Sequence, residues 1–158
     1  MKTLVVYYSR TRTTKKAAES IAGAMGADLD EVIDLKDRSG PAGFLMGGRD
    51  AATKRLTDVR CDKDPSMYDF VIIGTPVWAF TMAPAIRTYI TKNKDKLKEA
   101  AFFCTQGGSG AKGTLRDMES LCQKKGRATL ELMTKDVVKD KFTEKIKEFV
   151  IAINRGAA

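Results

Sequence analysis

Two stretches of this chain, Phe70-Val71-Ile72-Ile73 and Ala101-Phe102-Phe103-Cys104, contain no charged residue and no break in hydrophobicity. A strand with one wet face alternates polar and apolar residues, so a strand that drops the polar partner is covered on both sides. Parallel strands joined by crossover helices supply that cover. The rest of the chain keeps the same rhythm. Strands are expected at Thr3–Tyr8, Asp28–Leu35, Tyr68–Gly74, Ala100–Thr105 and Ala128–Met133. Between and after them, helices are expected at Thr13–Met25, weakly near Arg49–Arg55, and at Ala83–Lys92, Thr114–Lys125 and Lys141–Ile153. The pattern predicts an α/β fold of three layers, with a five-stranded parallel sheet in the doubly wound order 2-1-3-4-5. In that order a ligand sits at the carboxyl ends of the strands, where the chain switches direction between the first and third. With 158 residues, no linker and no internal repeat, residues 1–158 are read as one domain.

Composition removes several kinds of chemistry. The chain has no histidine, so imidazole acid–base catalysis, Ser-His and Cys-His nucleophiles and His-ligated zinc are unavailable. Cys61, Cys104 and Cys122 lack C-x-x-C spacing, which argues against a zinc site or a disulfide framework and for inert thiols. No metal ligand set is expected. No apolar run reaches the roughly 18 residues of a membrane helix, and Ser9 and Arg10 cut short the apolar start, so a cytoplasmic protein without membrane insertion is expected. The net charge of +8 points to anionic partners. Much of it lies in Arg10, Arg12, Lys15 and Lys16 and in the Lys92–Lys98 stretch, where no aromatics are interleaved for base stacking. A nucleic-acid-binding module therefore rests on net charge alone.

If the switch-point geometry holds, three loops converge. The first, Ser9-Arg10-Thr11-Arg12-Thr13-Thr14, leaves a buried strand and opens a helix. It aims backbone N–H groups and four hydroxyls at one point beside a positive helix end, which suits a phosphate. Its spacing is neither G-x-x-x-x-G-K-S/T nor G-x-G-x-x-G. The second, Thr75-Pro76-Val77-Trp78-Ala79-Phe80, holds the only tryptophan, a flat apolar surface suited to a flat ring. The third, Thr105-Gln106-Gly107-Gly108-Ser109-Gly110, is glycine-rich and lets backbone approach a ligand closely. One irregular region, Lys36–Asp64, carries the apolar patch Gly43-Phe44-Leu45-Met46-Gly47-Gly48. A lid, a contact in a homodimer and a plain packed excursion are all open readings of it.

Taken in order, these loops resemble those of the short-chain flavodoxin-like proteins. The first resembles their phosphate loop, T/S-x-T-G-x-T, with Ser9, Thr11 and Thr14 in the hydroxyl places and Arg12 where that family has glycine. The resemblance spans nearly the whole chain and implies a flavodoxin-like three-layer sandwich with non-covalently bound FMN. It places the phosphate on residues 9 to 14 and the isoalloxazine between the Trp78 loop and residues 105 to 110. No catalytic side chain is needed, since the flavin carries the chemistry. The guanidinium of Arg12 either crowds the turn or adds a charge-assisted bond to the phosphate.

Two kinds of flavin protein fit. Electron carriers of the family resemble one another in having an aromatic in the third loop and a glycine in the second. A flipped peptide at that glycine accepts the proton of reduced flavin N5. Residues 105 to 113 contain no aromatic and residues 75 to 80 no glycine. The expectation therefore leans to an FMN-dependent reductase with two-electron chemistry, using NAD(P)H and a quinone-like acceptor. The alternative is a one-electron carrier serving a redox partner protein.

Overall fold

A computed structural model describes residues 1–156. Its main sheet consists of β1 (Thr3–Tyr7), β2 (Asp28–Glu31), β5 (Phe70–Trp78), β7 (Glu99–Gln106) and β8 (Thr129–Met133). They run parallel in the order β2-β1-β5-β7-β8, with Val5 opposite Ile72 and Ile72 opposite Ala101. This is the expected 2-1-3-4-5 order. Two short strands, β3 (Ile33–Asp34) and β4 (Val59–Arg60), form a separate antiparallel pair, and β6 (Thr81–Met82) folds back on the end of β5. The helices are α1 (Thr13–Met25), α2 (Gly40–Ala52), α3 (Pro84–Asn93), α4 (Ala111–Cys122), α5 (Thr134–Val138) and α6 (Thr143–Arg155). None of them is long and apolar enough to cross a membrane.

The unbroken apolar runs do what their composition demands. On one face of the sheet, Val71, Ile73, Phe102 and Cys104 pack with Ile86, Tyr89 and Ile90 of α3 and Leu115 and Met118 of α4. On the other, Val5, Ile72, Ala101 and Phe103 pack with Ile21 of α1 and Ile146, Phe149 and Ile153 of α6. Side chains of this size, fully buried, each contribute about 1.5–3 kcal/mol through removal of apolar surface from water.

Three expectations about elements need correction. The strand expected over Asp28–Leu35 divides: Val32 still donates its amide to Tyr7 O at 2.8 Å, but Ile33 and Asp34 leave the sheet to pair with β4. The third strand extends past Gly74 to Trp78, so Thr75–Trp78 are ladder residues and not loop. The region read as irregular holds a full helix, α2, because tertiary contact overrides the low helix propensity of its glycines. A Cβ on Gly43 would lie 2.2 Å from the carbonyl carbon of Arg38, and one on Gly47 would lie 2.9 Å from the Trp78 ring. These glycines are sites of close approach.

Candidate functional site

The first loop keeps its polar backbone unspent. Tyr8 N–H donates to Gly74 O at 3.3 Å, and the next described backbone bond along the chain runs from Lys16 N–H to Arg12 O at 3.0 Å. Among the described residues, the amides of Ser9 through Lys15 meet no protein acceptor. They gather at the positive end of α1, whose first-turn N–H groups have no intrahelical partner. The hydroxyl of Ser9 is buried and likewise unpartnered. Arg12, the N-cap, sits in the left-handed region at φ 69° and ψ −5°, so the turn takes the shape glycine gives it although a side chain is present. The Arg12 side chain is exposed and forms no ion pair or hydrogen bond within the described residues. Donors without protein partners, converging on a helix N-terminus, fit the phosphate of FMN.

Thr14 and Thr105 join the first loop to the third: their hydroxyls lie 2.8 Å apart, both buried. One hydroxyl donates to the other, and the accepting one keeps a hydrogen for a third group. Arg10 has a further task besides lining the site. Its Nε donates to Arg38 O at 3.0 Å and its guanidinium NH2 to Gly40 O at 3.1 Å, and the group lies 5.5 Å over the Phe44 ring. It ties the phosphate turn to the start of α2.

The second loop is a two-residue hairpin between β5 and β6, in which Trp78 faces Thr81. Its central residues, Ala79 and Phe80, both have positive φ, 47° and 64°. Such turns ordinarily use Asn and Gly, because L side chains are strained there. Trp78 is half-buried, packed edge-on to Tyr8 with ring centroids 5.5 Å apart and against Gly47 of α2. The third loop begins only at Gly107. Gly107, Gly108 and Ser109 are exposed, and Gly110 caps α4 at φ 105° against Phe80 and Val77.

A cavity of about 300 Å³ brings the three loops together, with Arg10, Thr11, Thr13 and Thr14 on one wall, Pro76, Val77 and Trp78 on the second, and Thr105 and Gly107 on the third. The remaining expected site residues stand outside it. Ser9 opens on a neighbouring cavity of about 350 Å³ beside Arg38 and Lys36. Thr75 is a structural residue: its hydroxyl donates to Pro76 O at 2.9 Å and accepts from Ala83 N–H at 3.0 Å. Gln106 accepts from Ala111 N–H at 3.0 Å and so caps α4. Phe80 points into solvent, 71% exposed. Arg12, Ala79, Gly108, Ser109 and Gly110 frame the loops without lining the cavity.

Two lining residues escaped the sequence reading, Phe44 and Thr134. Thr134 starts α5 directly after β8, a position the strand pattern offers no way to single out. Phe44 belongs to the apolar patch already noticed, and its place depends on how α2 is anchored. Buried Arg38 donates to Asp34 at 2.6 Å and to Asp50 at 2.9 Å, while Lys36 donates to the same Asp50 oxygen at 2.8 Å. These bonds, that of Lys36 foremost, hold the Asp50 carboxyl down at about 2 despite its burial. Burial works against the Arg38 charge, but its bonds to Asp34 and Asp50 outweigh that and raise its pKa. The cluster ties the chain just before α2 to the last turn of α2, and α2 leans Phe44 over the cavity.

The three-loop cavity at the switch point of a 2-1-3-4-5 sheet defines a flavodoxin-type nucleotide site. The family model described as Flavodoxin matches residues 2–149, and the chain belongs to that family, with FMN as the cofactor this membership carries. A flavoprotein from Lactobacillus acidophilus NCFM, crystallised with FMN, is 26% identical and superposes with a TM-score of 0.72 over 90% of this chain and 98% of its own. Oxidised flavodoxin 1 from Bacillus cereus is 17% identical, TM-score 0.54, over 94% and 98%. An NADH:FMN oxidoreductase in its apo form is 16% identical, TM-score 0.51, over 96% and 90%. At these last two identities the likeness is one of fold. No curated protein matches the sequence significantly.

Proposed function

We propose that this chain is an FMN-dependent reductase that takes hydride from a nicotinamide dinucleotide and delivers two electrons to a quinone-type acceptor. With one proton from solvent the quinone becomes a hydroquinone, and the dinucleotide leaves oxidised. FMN supplies the hydride-accepting ring. The chain's own residues bind and orient it: the amides of residues 10 to 15 and the hydroxyls of Thr11 and Thr14 take the phosphate, and Trp78 gives the ring an apolar wall. The exposed Gly107-Gly108-Ser109 segment puts no aromatic over the other face, which stays accessible to a hydride donor.

The observation that carries the reading is the Ala79-Phe80 turn. One-electron carriers need a peptide in this loop that turns over cheaply. Turning over the Ala79–Phe80 peptide would relax Phe80 but leave Ala79 at positive φ with ψ near about −120°, a region open essentially to glycine. Without that movement a flavin held here would serve as a two-electron centre, and the positive charge of Arg12 and Lys15 would favour a cofactor carrying negative charge. Anaerobic titration with dithionite, followed by visible spectroscopy, tests this: both electrons are expected to enter in one unresolved step, and NADH or NADPH to reduce the protein. Two resolved steps would instead restore the second reading, a one-electron carrier. That reading is favoured by the exposed Phe80 ring at the hairpin tip, a suitable contact for a protein partner.

A further inference from the structure

Beside the flavin cavity, on the α2 side of the Trp78 hairpin, lies a second cavity of about 210 Å³. Phe44, Val77 and Trp78 line both, so the two cavities share a wall. Leu45, Gly48 and Ala79 complete its apolar lining, and Arg49 is its one charged lining residue. Phe44 and Leu45 are 62% and 70% exposed, although both are large and apolar. The two glycines of α2 behave differently here. Gly47 has no room for a Cβ because Trp78 fills it, whereas a Cβ on Gly48 would meet nothing within 4 Å. The space beside Gly48 is therefore open, and no packing contact accounts for glycine there.

We infer that this cavity is the acceptor subsite of the reductase, taking a flat quinone of one or two rings with an anionic or carbonyl oxygen directed at Arg49. The inference rests on the reductase reading and gives its acceptor a place. Size limits the occupant: drug-sized ligands and dinucleotides need roughly 300–1,000 Å³, so a nicotinamide dinucleotide does not fit but a small ring system does. The lining is aliphatic and aromatic, which suits the faces of a ring. Arg49 reaches Asp50 only at 3.7 Å, and its side chain is 61% exposed, so its guanidinium keeps donors for an acceptor oxygen. The wall shared with the flavin cavity puts such a ring one side chain away from the cofactor, across Trp78 and Val77, and leaves the Gly107–Ser109 side for the hydride donor.

The test uses FMN-loaded protein and 2-hydroxy-1,4-naphthoquinone, an anionic two-ring quinone, with binding measured by calorimetry in the absence of reductant. The quinone is expected to bind the holoprotein without displacing FMN. Gly48→Leu, which places a good helix former where a Cβ meets no obstacle, should weaken it about tenfold or more by filling the cavity. FMN affinity should not change. Arg49→Gln should weaken the quinone about threefold and remove most of the salt dependence of its binding. Absence of binding, equal binding by both variants, or competition with FMN would overturn the inference. So would a dimer of the wild type that Gly48→Leu dissolves, since a second copy would then own this face. Quinone binding with the expected pattern but no turnover with NADH or NADPH would keep the subsite and sink the reductase reading.

Discussion

Arg12→Gly separates the shape of the phosphate turn from its charge. Arg12 already occupies the left-handed region, φ 69° and ψ −5°, where an L residue pays about 1–2 kcal/mol relative to glycine. Its side chain is exposed and makes no contact in the fold that the substitution would remove. Glycine gains back that strain but gives the unfolded chain about 0.5–1 kcal/mol more conformational freedom. The net expectation is a gain of about 0.5–1 kcal/mol in the apo-protein, or about 2 °C in Tm for a chain of this length. Binding should move the other way. The turn is already glycine-shaped, so glycine adds no fit, while the loss of a screened charge near a phosphate dianion costs up to about 1 kcal/mol, roughly two- to fivefold in Kd. Differential scanning calorimetry of apo-protein and FMN titrations by fluorescence quenching, at low and high salt, read both quantities. The affinity difference should fade as salt rises. Tighter FMN binding by Arg12→Gly would refute the argument, because it would mean that the guanidinium obstructs the turn.

Trp78→Ala should weaken FMN by about 1–3 kcal/mol, the scale of one lost stacking partner, measured by flavin fluorescence. It should also lower stability measurably in urea titrations, because Trp78 packs on Tyr8 and Gly47 as well. Thr14→Val leaves the buried Thr105 hydroxyl without its partner at 2.8 Å and should cost about 1–3 kcal/mol of stability, with Thr14→Val/Thr105→Val costing less than the sum of the singles. Among the thiols, burial and then Asp30 raise Cys61 to about 11, and burial raises Cys104 to about 12. Both stay protonated at neutral pH, and a triple cysteine-to-alanine variant should retain FMN and turnover, as absorbance and steady-state rates will show. Asp50 is held at about 2 against an ordinary value of 3.8, so the stability it contributes is complete above about pH 4 and lost as pH falls through 2. Acid unfolding followed by circular dichroism should show that loss in the wild type and a shallower one in Asp50→Asn.

The sheet was legible because its signals are local and redundant. Runs such as Phe70–Ile73 exclude a wet face by composition alone, and five strands alternating with helices suit the doubly wound order 2-1-3-4-5. Three loops at one end of the sheet follow from that order, which is why Thr11, Thr13, Thr14, Trp78 and Gly107 meet at one cavity. Residues at the edges of those loops were harder to assign, since type and spacing do not reveal whether a polar group already has a partner. Thr75 and Gln106 look like ligand contacts in sequence and prove to be caps within the fold.

Phe44 shows where sequence reasoning stops for a physical reason. Its exposure over the cavity depends on α2, and α2 depends on contacts between residues far apart or of unremarkable type. Arg10 reaches across to the carbonyls of Arg38 and Gly40, and Arg38 in turn is gripped by Asp34 and Asp50. No periodicity marks these charges as buried, since Lys, Arg and Asp in a glycine-rich stretch ordinarily signal solvated loop. Breaking a buried pair by removing one partner costs about 3–5 kcal/mol, so this cluster can fix a helix that its own glycines would leave unformed. The consequence reaches the site: the same Arg10 that lines the flavin cavity also holds the helix that carries Phe44, Gly48 and Arg49. Phosphate turn and the wall of the second cavity are thereby one mechanical unit, and damage to the Arg38 cluster should loosen both even though none of its carboxylates touches either cavity's shared Trp78 wall.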